Sequence, residues 1–225
     1  MSSVLKIIFL YMCLGFTVES VSSTAECNSD EQVDIVFLLD GSGSVGDVGF
    51  SKALEFVNKL VDVFPIGPTK TQVALVVFTT RIETQFNWNA YTTSTTLKNA
   101  ILNTTFPWGG EDIPAAIDHA RQMFQSTSTG RRQDATGIAV LMTDGWTYPS
   151  FEPSTIAAQK LKDDGIIIYT AGVGSSVNVE ELQSVATNQS YYFNAVNYDS
   201  LDSITGPITV SACTGAFDVQ INIFL

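Results

Sequence analysis

The feature that most constrains the fold of this chain is a regular alternation of short apolar runs with amphipathic segments, which starts at Val33. Each apolar run has the length and continuity of a buried strand, and the segments between the runs repeat apolar residues at helical spacing. This alternation is typical of a parallel sheet covered by helices on both faces. The predicted strands are Val33–Leu39, Gln72–Phe78, Gly137–Met142, Ile166–Ala171 and, with a weaker pattern, Tyr191–Val196.

A sixth predicted strand, Arg81–Trp88, alternates polar with apolar residues and follows the second strand closely, which indicates an antiparallel strand at the sheet edge. The predicted helices are 50–64, Thr95–Leu102, Pro114–Gln125, Pro153–Asp163, Val179–Ala186 and Ser200–Ile204. We therefore expect an α/β fold with a doubly wound, mostly parallel, Rossmann-like sheet. The chain has 225 residues, 45% of them hydrophobic, which suits one domain with a substantial core.

The stretch DIVFLLDGSGSVG, residues 34–46, fits two different kinds of site. Its last six residues match G-x-G-x-x-G, the glycine fingerprint of a dinucleotide-binding turn between a strand and a helix. The same loop also places Asp40, Ser42 and Ser44 at alternate positions, and their oxygen atoms suit a hard cation.

The cation interpretation accounts better for the acidic residues. Ligands of an open parallel sheet bind beyond the carboxyl ends of its strands, where Asp40 and Asp144 both lie. Two unpaired carboxylates at one edge repel each other, and a divalent cation relieves that repulsion. A pyrophosphate would face Asp40 directly, and no Gly-Lys-Ser/Thr of a P-loop follows. The formal charge of −12 also argues against a nucleic-acid partner.

The N-terminal residues 1–20 have the order of a secretory signal, with Lys6, then an apolar run, then small and polar residues. Cleavage is expected between residues 20 and 25. The run is short for a membrane span, although an uncleaved signal anchor is the alternative. We expect no membrane span after the signal is removed.

Cys13 lies in the predicted signal, so the mature chain keeps Cys27 and Cys213. Two cysteines at the two ends of a secreted domain predict one disulfide that ties its termini together. Free thiols or an intermolecular bridge are the alternatives.

Two sequons, at Asn103 and Asn188, predict glycosylation at surface loops or helix ends of a secreted chain. The tail 214–225 ends in an alternating apolar run that cannot bury itself alone. It is compatible with an added edge strand, with packing on a partner, or with the start of a further module.

The sequences DIVFLLDGSGSVG and LMTDG, in this order on a strand and helix alternation, resemble the von Willebrand factor type A (VWFA) domain with its metal-ion-dependent adhesion site, MIDAS. The resemblance covers roughly Val33 to Pro207, and we expect the domain to span 30–213. The flanking cysteines suit its extracellular matrix members, such as matrilins and collagen VI. By this resemblance Asp40, Ser42 and Ser44 are first-loop metal ligands, and Asp144 is the third-loop acid that binds directly or through water.

The middle loop departs from the family pattern, which commonly has a Thr ligand in a Gly-Gly-Thr-x-Thr segment. This chain has Glu111 and Asp112 at that place. We expect Asp112 to be a metal ligand and Glu111 to be the alternative, while capping of the helix near Pro114 is an equal role for Asp112. A third carboxylate would let Ca²⁺ or Mn²⁺ bind alongside the expected Mg²⁺, and would weaken affinity for an acidic ligand.

Trp108, Trp146 and Tyr148 lie beside the predicted metal loops and are candidate partner contacts, although packing over the loops is an equal alternative. His119, the single histidine, is expected at a solvent-facing helix position with no paired nucleophile. No H-E-x-x-H, G-x-S-x-G or C-x-x-C motif occurs, so we do not expect an enzyme.

The resemblance implies a secreted, non-enzymatic adhesion or extracellular matrix protein. It would bind an extracellular protein ligand, through an acidic side chain of that ligand, at a divalent cation. The alternative is a structural matrix scaffold whose metal site is weak or vacant. The altered middle loop is the sequence feature that favours this alternative.

Overall fold

A six-stranded sheet forms the centre of the computed structural model, which describes residues 32–208. The strands are β1 (Val33–Asp40), β2 (Thr71–Phe78), β3 (Ile82–Phe86), β4 (Thr136–Thr143), β5 (Ile167–Val173) and β6 (Tyr192–Ala195), in the spatial order β3-β2-β1-β4-β5-β6. All neighbours are parallel except β2 and β3, which are antiparallel. The predicted doubly wound sheet with one antiparallel edge strand is confirmed.

The helices lie close to their predicted positions. They are α1 (Gly46–Val61), α2 (Ser94–Leu102), α3 (Ile113–Gln125), α4 (Glu152–Asp163), α5 (Val179–Val185) and α6, which covers 202–208. The last helix begins two residues later than predicted because a short 3-10 turn, Tyr198–Ser200, precedes it. Asn197 and Ser200 cap that turn by exchanging side-chain and backbone hydrogen bonds.

The sheet separates two hydrophobic cores, and β1 is buried on both of its faces. Ile35, Phe37 and Leu39 pack on the face that carries α1, α2 and α6. Val36 and Leu38 pack on the face that carries α3, α4 and α5. This two-sided burial is the reason that the strand sequences are continuous apolar runs rather than alternating ones.

The winding of the chain brings two loops together at one edge of the sheet. The strands β2 and β4 lie on opposite sides of β1, so the direction of winding reverses between β1 and β4. Leu39 pairs with Met142, which places Asp40 and Thr143 side by side at the ends of these strands. A reversal of this kind opens a crevice at the carboxyl ends of the strands, where α/β proteins bind ligands.

At the amino ends of the strands, a fully buried carboxylate fixes the start of β1. Asp34 accepts hydrogen bonds from Arg131 Nη1 at 2.8 Å, from Arg132 Nη2 at 2.6 Å and from the Arg132 amide at 2.8 Å. Both guanidinium groups are themselves largely buried, at 8% and 17% side-chain exposure. The carboxylate therefore ties β1 to the loop that leads into β4.

Two residues lie differently from the sequence expectation. Trp88 falls outside β3, which ends at Phe86, because its indole enters the core and donates from Nε1 to the Ile35 carbonyl at 3.0 Å. His119 is only partly exposed to solvent. It is half-buried, and its Nε2 lies 2.8 Å from the Thr84 hydroxyl on the edge strand. Burial lowers the pKa of His119 below its usual value of 6.5.

Several predicted features lie outside the described residues. These are the signal peptide 1–20, Cys27, Cys213 and the tail 214–225. Within residues 32–208, no helix has the length and apolar character needed to cross a membrane.

Substitution of Asp34 by Asn is expected to lower the free energy of unfolding by about 3–5 kcal/mol, because two buried guanidinium groups lose their counter-charge. Urea denaturation measures this loss. Asp62→Asn is the matched control, since Asp62 pairs with Lys98 at a site where its side chain is 53% exposed. The control should lose less than about 1 kcal/mol. Equal losses in the two variants would contradict the structural role of Asp34.

Candidate metal centre

The loop after β1 holds its oxygen side chains in place through hydrogen bonds within the site. The Ser42 amide donates to Asp40 Oδ1 at 2.8 Å, and the Ser42 and Ser44 hydroxyls lie 3.0 Å apart. The Ser44 hydroxyl donates to Asp144 Oδ1 at 2.8 Å, which joins this loop to the loop after β4. The fold therefore brings Asp40, Ser42, Ser44 and Asp144 into one cluster.

Three backbone amides of the same loop are already paired, which argues against phosphate binding. The Ser42 amide bonds to Asp40, the Gly43 amide donates to the Gly109 carbonyl at 2.9 Å, and the Val45 amide donates to the Ser42 carbonyl at 3.2 Å. A dinucleotide turn needs such amides to point at the pyrophosphate. The geometry of this loop therefore favours the cation interpretation over the nucleotide interpretation.

Close packing explains the first of the glycines that resemble a nucleotide fingerprint, and the second lies under the Trp108 indole. A β carbon at Gly41 would lie 2.6 Å from Pro107 Cγ and 2.8 Å from Val77 Cγ1, so no larger residue fits there. A β carbon at Gly43 would meet the Trp108 indole at 3.5 Å. The middle loop thus covers the position where the second glycine of a dinucleotide site would approach its ligand.

Thr143, the last residue of β4, bridges two carboxyl groups. Its Oγ1 lies 2.7 Å from Asp40 Oδ2 and 2.5 Å from Glu111 Oε1, and it accepts a hydrogen bond from the Gly145 amide at 3.0 Å. The hydroxyl carries one proton, so it can donate to only one of the two carboxyl groups. Sequence reasoning missed this role, although Thr143 directly precedes the Asp144 of the TDG motif.

Glu111 holds a proton tightly in this arrangement. Burial, together with the charge of Asp40, raises the pKa of Glu111 from its usual 4.5 to about 8. The protonated carboxyl group supplies the second proton that the contacts around Thr143 require. Its close approach also depends on Gly145, where a β carbon would overlap the Glu111 carboxyl group.

Asp112 faces the adjacent helix instead of this cluster. Its Oδ1 accepts a hydrogen bond from the Ala115 amide at 3.0 Å, and Asp112 is the N-cap of α3. Of the two roles that the sequence leaves open for Asp112, these contacts support capping. Glu111, rather than Asp112, lies beside Asp40 and Thr143, and which of the two acids binds a metal stays a prediction.

The surroundings of Asp144 disfavour the ionised form of its carboxyl group. Burial raises the pKa of Asp144 above its usual 3.8, Asp40 raises it further, and the Ser44 hydrogen bond works in the opposite direction. The half-buried phenol of Tyr198 lies close enough that Asp144, Asp40 and Glu111 all raise its pKa in addition to the effect of burial. A cation at this place would favour the ionised form of each carboxyl group.

The donors of the cluster are all oxygens, and hydroxyls are an essential part of the set. Among residues 32–208, no three acidic, histidine or cysteine side chains stand close enough to hold a metal ion by themselves. A mixed set of carboxylates and serine hydroxyls suits a small hard cation that keeps some of its water. The residues that fit this role are Asp40, Ser42, Ser44, Glu111 and Asp144.

The model of the von Willebrand factor type A domain matches residues 34–207 of the chain. The chain belongs to this family. The match covers the sheet from the second residue of β1 onward and all the loops that carry the cluster.

Among curated relatives of this VWFA domain, the collagen alpha-4(VI) chain of Mus musculus is 32% identical over 203 residues. That alignment covers 89% of this chain and 8% of the relative. Matrilin-1 of Mus musculus is 29% identical over 207 residues, which cover 88% of this chain and 40% of the relative. The chain therefore spans less than half the length of these relatives.

Solved structures show the same fold. Proximal thread matrix protein 1 from the mussel byssus, solved with a zinc-occupied MIDAS motif, has a TM-score of 0.77 and 27% identity. The similarity covers 82% of this chain and 48% of that one. Manganese-loaded TRAP protein of Plasmodium vivax has a TM-score of 0.65 and 21% identity over 80% of this chain and 74% of that one, which shows the shared fold.

The three aromatic residues predicted as partner contacts are exposed. Trp108 is 70% exposed, Trp146 is 42% exposed and Tyr148 is 80% exposed. The rings of Trp146 and Tyr148 meet edge to face, with centroids 5.6 Å apart. Trp108 and Tyr148 expose most of their surface, whereas more than half of Trp146 is covered, and the role of the three residues in partner contact stays a prediction.

The sequon asparagines also lie on the surface. Asn103 is exposed at the end of α2, and the exposed Asn188 caps a short turn, where its Oδ1 accepts from the Ser190 amide at 2.9 Å. Their glycosylation stays a prediction.

Without metal, the stability of the VWFA domain is expected to fall as the pH rises between about 4.5 and 8. Over this range the unfolded chain releases the Glu111 proton while the folded domain retains it, so the free energy of unfolding decreases and then levels off. Chemical denaturation of EDTA-treated protein at a series of pH values measures the slope. Glu111→Gln should flatten the slope, because the variant has no proton to release. Parallel pH profiles for the two proteins would contradict the prediction.

Proposed function

We propose that this VWFA domain binds an extracellular protein partner through a divalent cation held at Asp40, Ser42, Ser44 and Asp144. The observation that carries the proposal is the hydrogen bond between Ser44 and Asp144, which unites oxygen donors from two loops at the point where the sheet winding reverses. Mg²⁺ is the expected ion, and Ca²⁺ and Mn²⁺ are the alternatives. The zinc-occupied MIDAS of the mussel byssus protein supports a divalent cation in this fold.

Glu111 is the fifth ligand in this proposal, and Asp112 contributes by capping α3. The bound cation supplies positive charge that an acidic side chain of the partner can approach. Ionised Glu111 makes the site richer in negative charge than one built on the Thr that the family commonly has. We therefore propose weaker attraction for an acidic ligand and wider acceptance of Ca²⁺ and Mn²⁺.

The exposed apolar surface supports a partner at the same edge. Of the eight large hydrophobic side chains that are exposed in the described residues, six lie in a loop at the carboxyl ends of the strands or in the first turn of a helix that starts there. These six are Val48, Trp108, Trp146, Tyr148, Val179 and Val196. We call them the apolar rim. Aromatic residues around a charged centre are frequent energetic hot spots of protein interfaces.

The relatives support an extracellular setting, since they include collagens, a matrilin and a thread matrix protein. We propose that the protein is secreted, acts in adhesion or in the extracellular matrix, and is not an enzyme. The Cys27–Cys213 disulfide and glycans at Asn103 and Asn188 are parts of this proposal.

A matrix scaffold with a weak or vacant metal site is the second candidate. The protonated Glu111 favours it, because Thr143, Asp40 and Glu111 satisfy one another without any cation. In this case the domain would contact its neighbours through the apolar rim or other surfaces, independently of metal.

Calorimetric titration with Mg²⁺, Ca²⁺ and Mn²⁺ tests the proposed site. Asp40→Asn should weaken binding on the order of 100-fold, because it removes a ligand charge while keeping the side-chain shape. Asp47→Asn is the control, since it removes the same charge from an exposed residue in the first turn of α1. The same affinity in the wild type and in Asp40→Asn would refute the proposed ligand set.

Capture of proteins from native extracellular material tests the partner surface. EDTA should abolish capture by the immobilised wild-type protein, and Trp146→Ala with Tyr148→Ala should reduce it while leaving Mn²⁺ affinity unchanged. Leu102→Ala is the control, because Leu102 is 51% exposed but lies at the end of α2, outside the apolar rim. Capture that survives EDTA would favour the scaffold candidate instead.

A further inference from the structure

Glu181, in the first turn of α5, has a fully buried carboxyl group whose partners are not basic residues. Its Oε2 accepts from the Thr147 amide at 2.9 Å. Its Oε1 accepts from the Thr147 hydroxyl at 2.7 Å and from the Ser154 hydroxyl at 2.7 Å. Burial of a carboxyl group is costly unless its oxygens are hydrogen-bonded, and here both oxygens are used.

The side chain of Glu181 is not needed to start its own helix. Asn178 caps α5, and its Oδ1 accepts from the Glu181 amide at 3.1 Å. The carboxyl group instead reaches 34 positions back along the chain to the loop after β4. Ser154, at the beginning of α4, completes the contact from a second helix. Two helices therefore hold one loop through a single buried carboxyl group.

The point at which the loop is held is Thr147, which lies between Trp146 and Tyr148 and three residues after Asp144. Thr147 is bound through both its amide and its hydroxyl, so its backbone and its side chain are fixed together. Thr147 is half-buried, whereas Trp146 and Tyr148 are exposed and contact each other edge to face. The inward bonds of Thr147 thus set the direction in which its two aromatic neighbours point.

We propose that Glu181 is a positioning residue for the third loop of the metal centre, which keeps Asp144 beside Ser44 and presents Trp146 and Tyr148 to a partner. Glu181 lies outside the ligand set and acts through Thr147. The inference about metal and partner rests on the proposed function, whereas the inference about the loop rests on the hydrogen bonds alone. Outer-shell groups that orient metal ligands commonly change metal affinity when they are replaced.

The test uses two variants and two matched controls. Glu181→Gln keeps the shape but removes one acceptor oxygen, and Thr147→Val keeps the shape but removes the hydroxyl. Glu180→Gln makes the same change at the exposed neighbour of Glu181, and Thr147→Ser retains both hydrogen bonds of the loop. Thermal unfolding of each purified protein first establishes that it is folded. Thr147→Val alone decides the question if Glu181→Gln does not fold.

Two readouts are measured on each protein. Calorimetric titration gives the affinity for Mn²⁺, which should fall about tenfold in Glu181→Gln and Thr147→Val and stay within about twofold in the controls. Acrylamide quenching of tryptophan fluorescence, in a Trp108→Phe background, reports on Trp146, because Trp88 is fully buried. The quenching constant should rise in the two variants and stay unchanged in the two controls.

The two readouts separate failure of this inference from failure of the proposed function. If the wild type does not bind Mn²⁺, the proposed function fails, and the quenching of Trp146 still decides whether Glu181 positions the loop. Unchanged quenching in Glu181→Gln and Thr147→Val would overturn the inference whatever the metal result. Equal changes in the variants and the controls would also overturn it, because they would indicate a general loss of packing.

Discussion

The single proton of the Thr143 hydroxyl is the constraint on which the site depends. Asp40 and Glu111 both lie within hydrogen-bonding distance of that oxygen, and one proton cannot serve both. A further positive charge is therefore required, and either a proton on Glu111 or a metal ion supplies it. The strand pairing that places Asp40 beside Thr143 makes this requirement part of the fold. The VWFA sheet thus places two carboxyl groups where a proton on Glu111 or a bound cation must compensate their charge.

The glycine-rich loop shows that the same sequence motif can form sites of different chemistry. A dinucleotide turn directs free amides outward, whereas this loop turns its amides back to Asp40, Ser42 and Gly109. The side-chain oxygens of the serines, rather than the amides, form the cluster with Asp144. The sign of the ligand charge follows from this choice, because amide hydrogens attract anions and oxygen lone pairs attract cations.

The doubly wound sheet and its helices could be predicted from the sequence, because two-sided burial makes β1, β2, β4 and β5 continuous apolar runs and the segments between them repeat apolar residues at helical spacing. The grouping of Asp40 with Asp144 could be predicted as well, since parallel strands end at one edge. The sequence could not predict which of Glu111 and Asp112 lies beside Asp40, because this depends on where α3 begins and on which acid takes the N-cap. His119 and Glu181 were beyond sequence reasoning for a related reason. Their partners, Thr84 and Thr147, are set by packing between distant elements.

At the amino end of β1, two arginines neutralise the negative charge of the buried Asp34. There the compensating charge is part of the polypeptide and cannot diffuse away or be removed by a chelator. The two ends of β1 therefore differ in how their negative charge is compensated. At Asp34 the compensation is permanent, whereas at the metal centre it depends on a proton or a bound cation. In the proposed function, a chelator removes the cation from the metal centre while Asp34 and its two arginines keep β1 anchored, so loss of the ion need not entail loss of the fold.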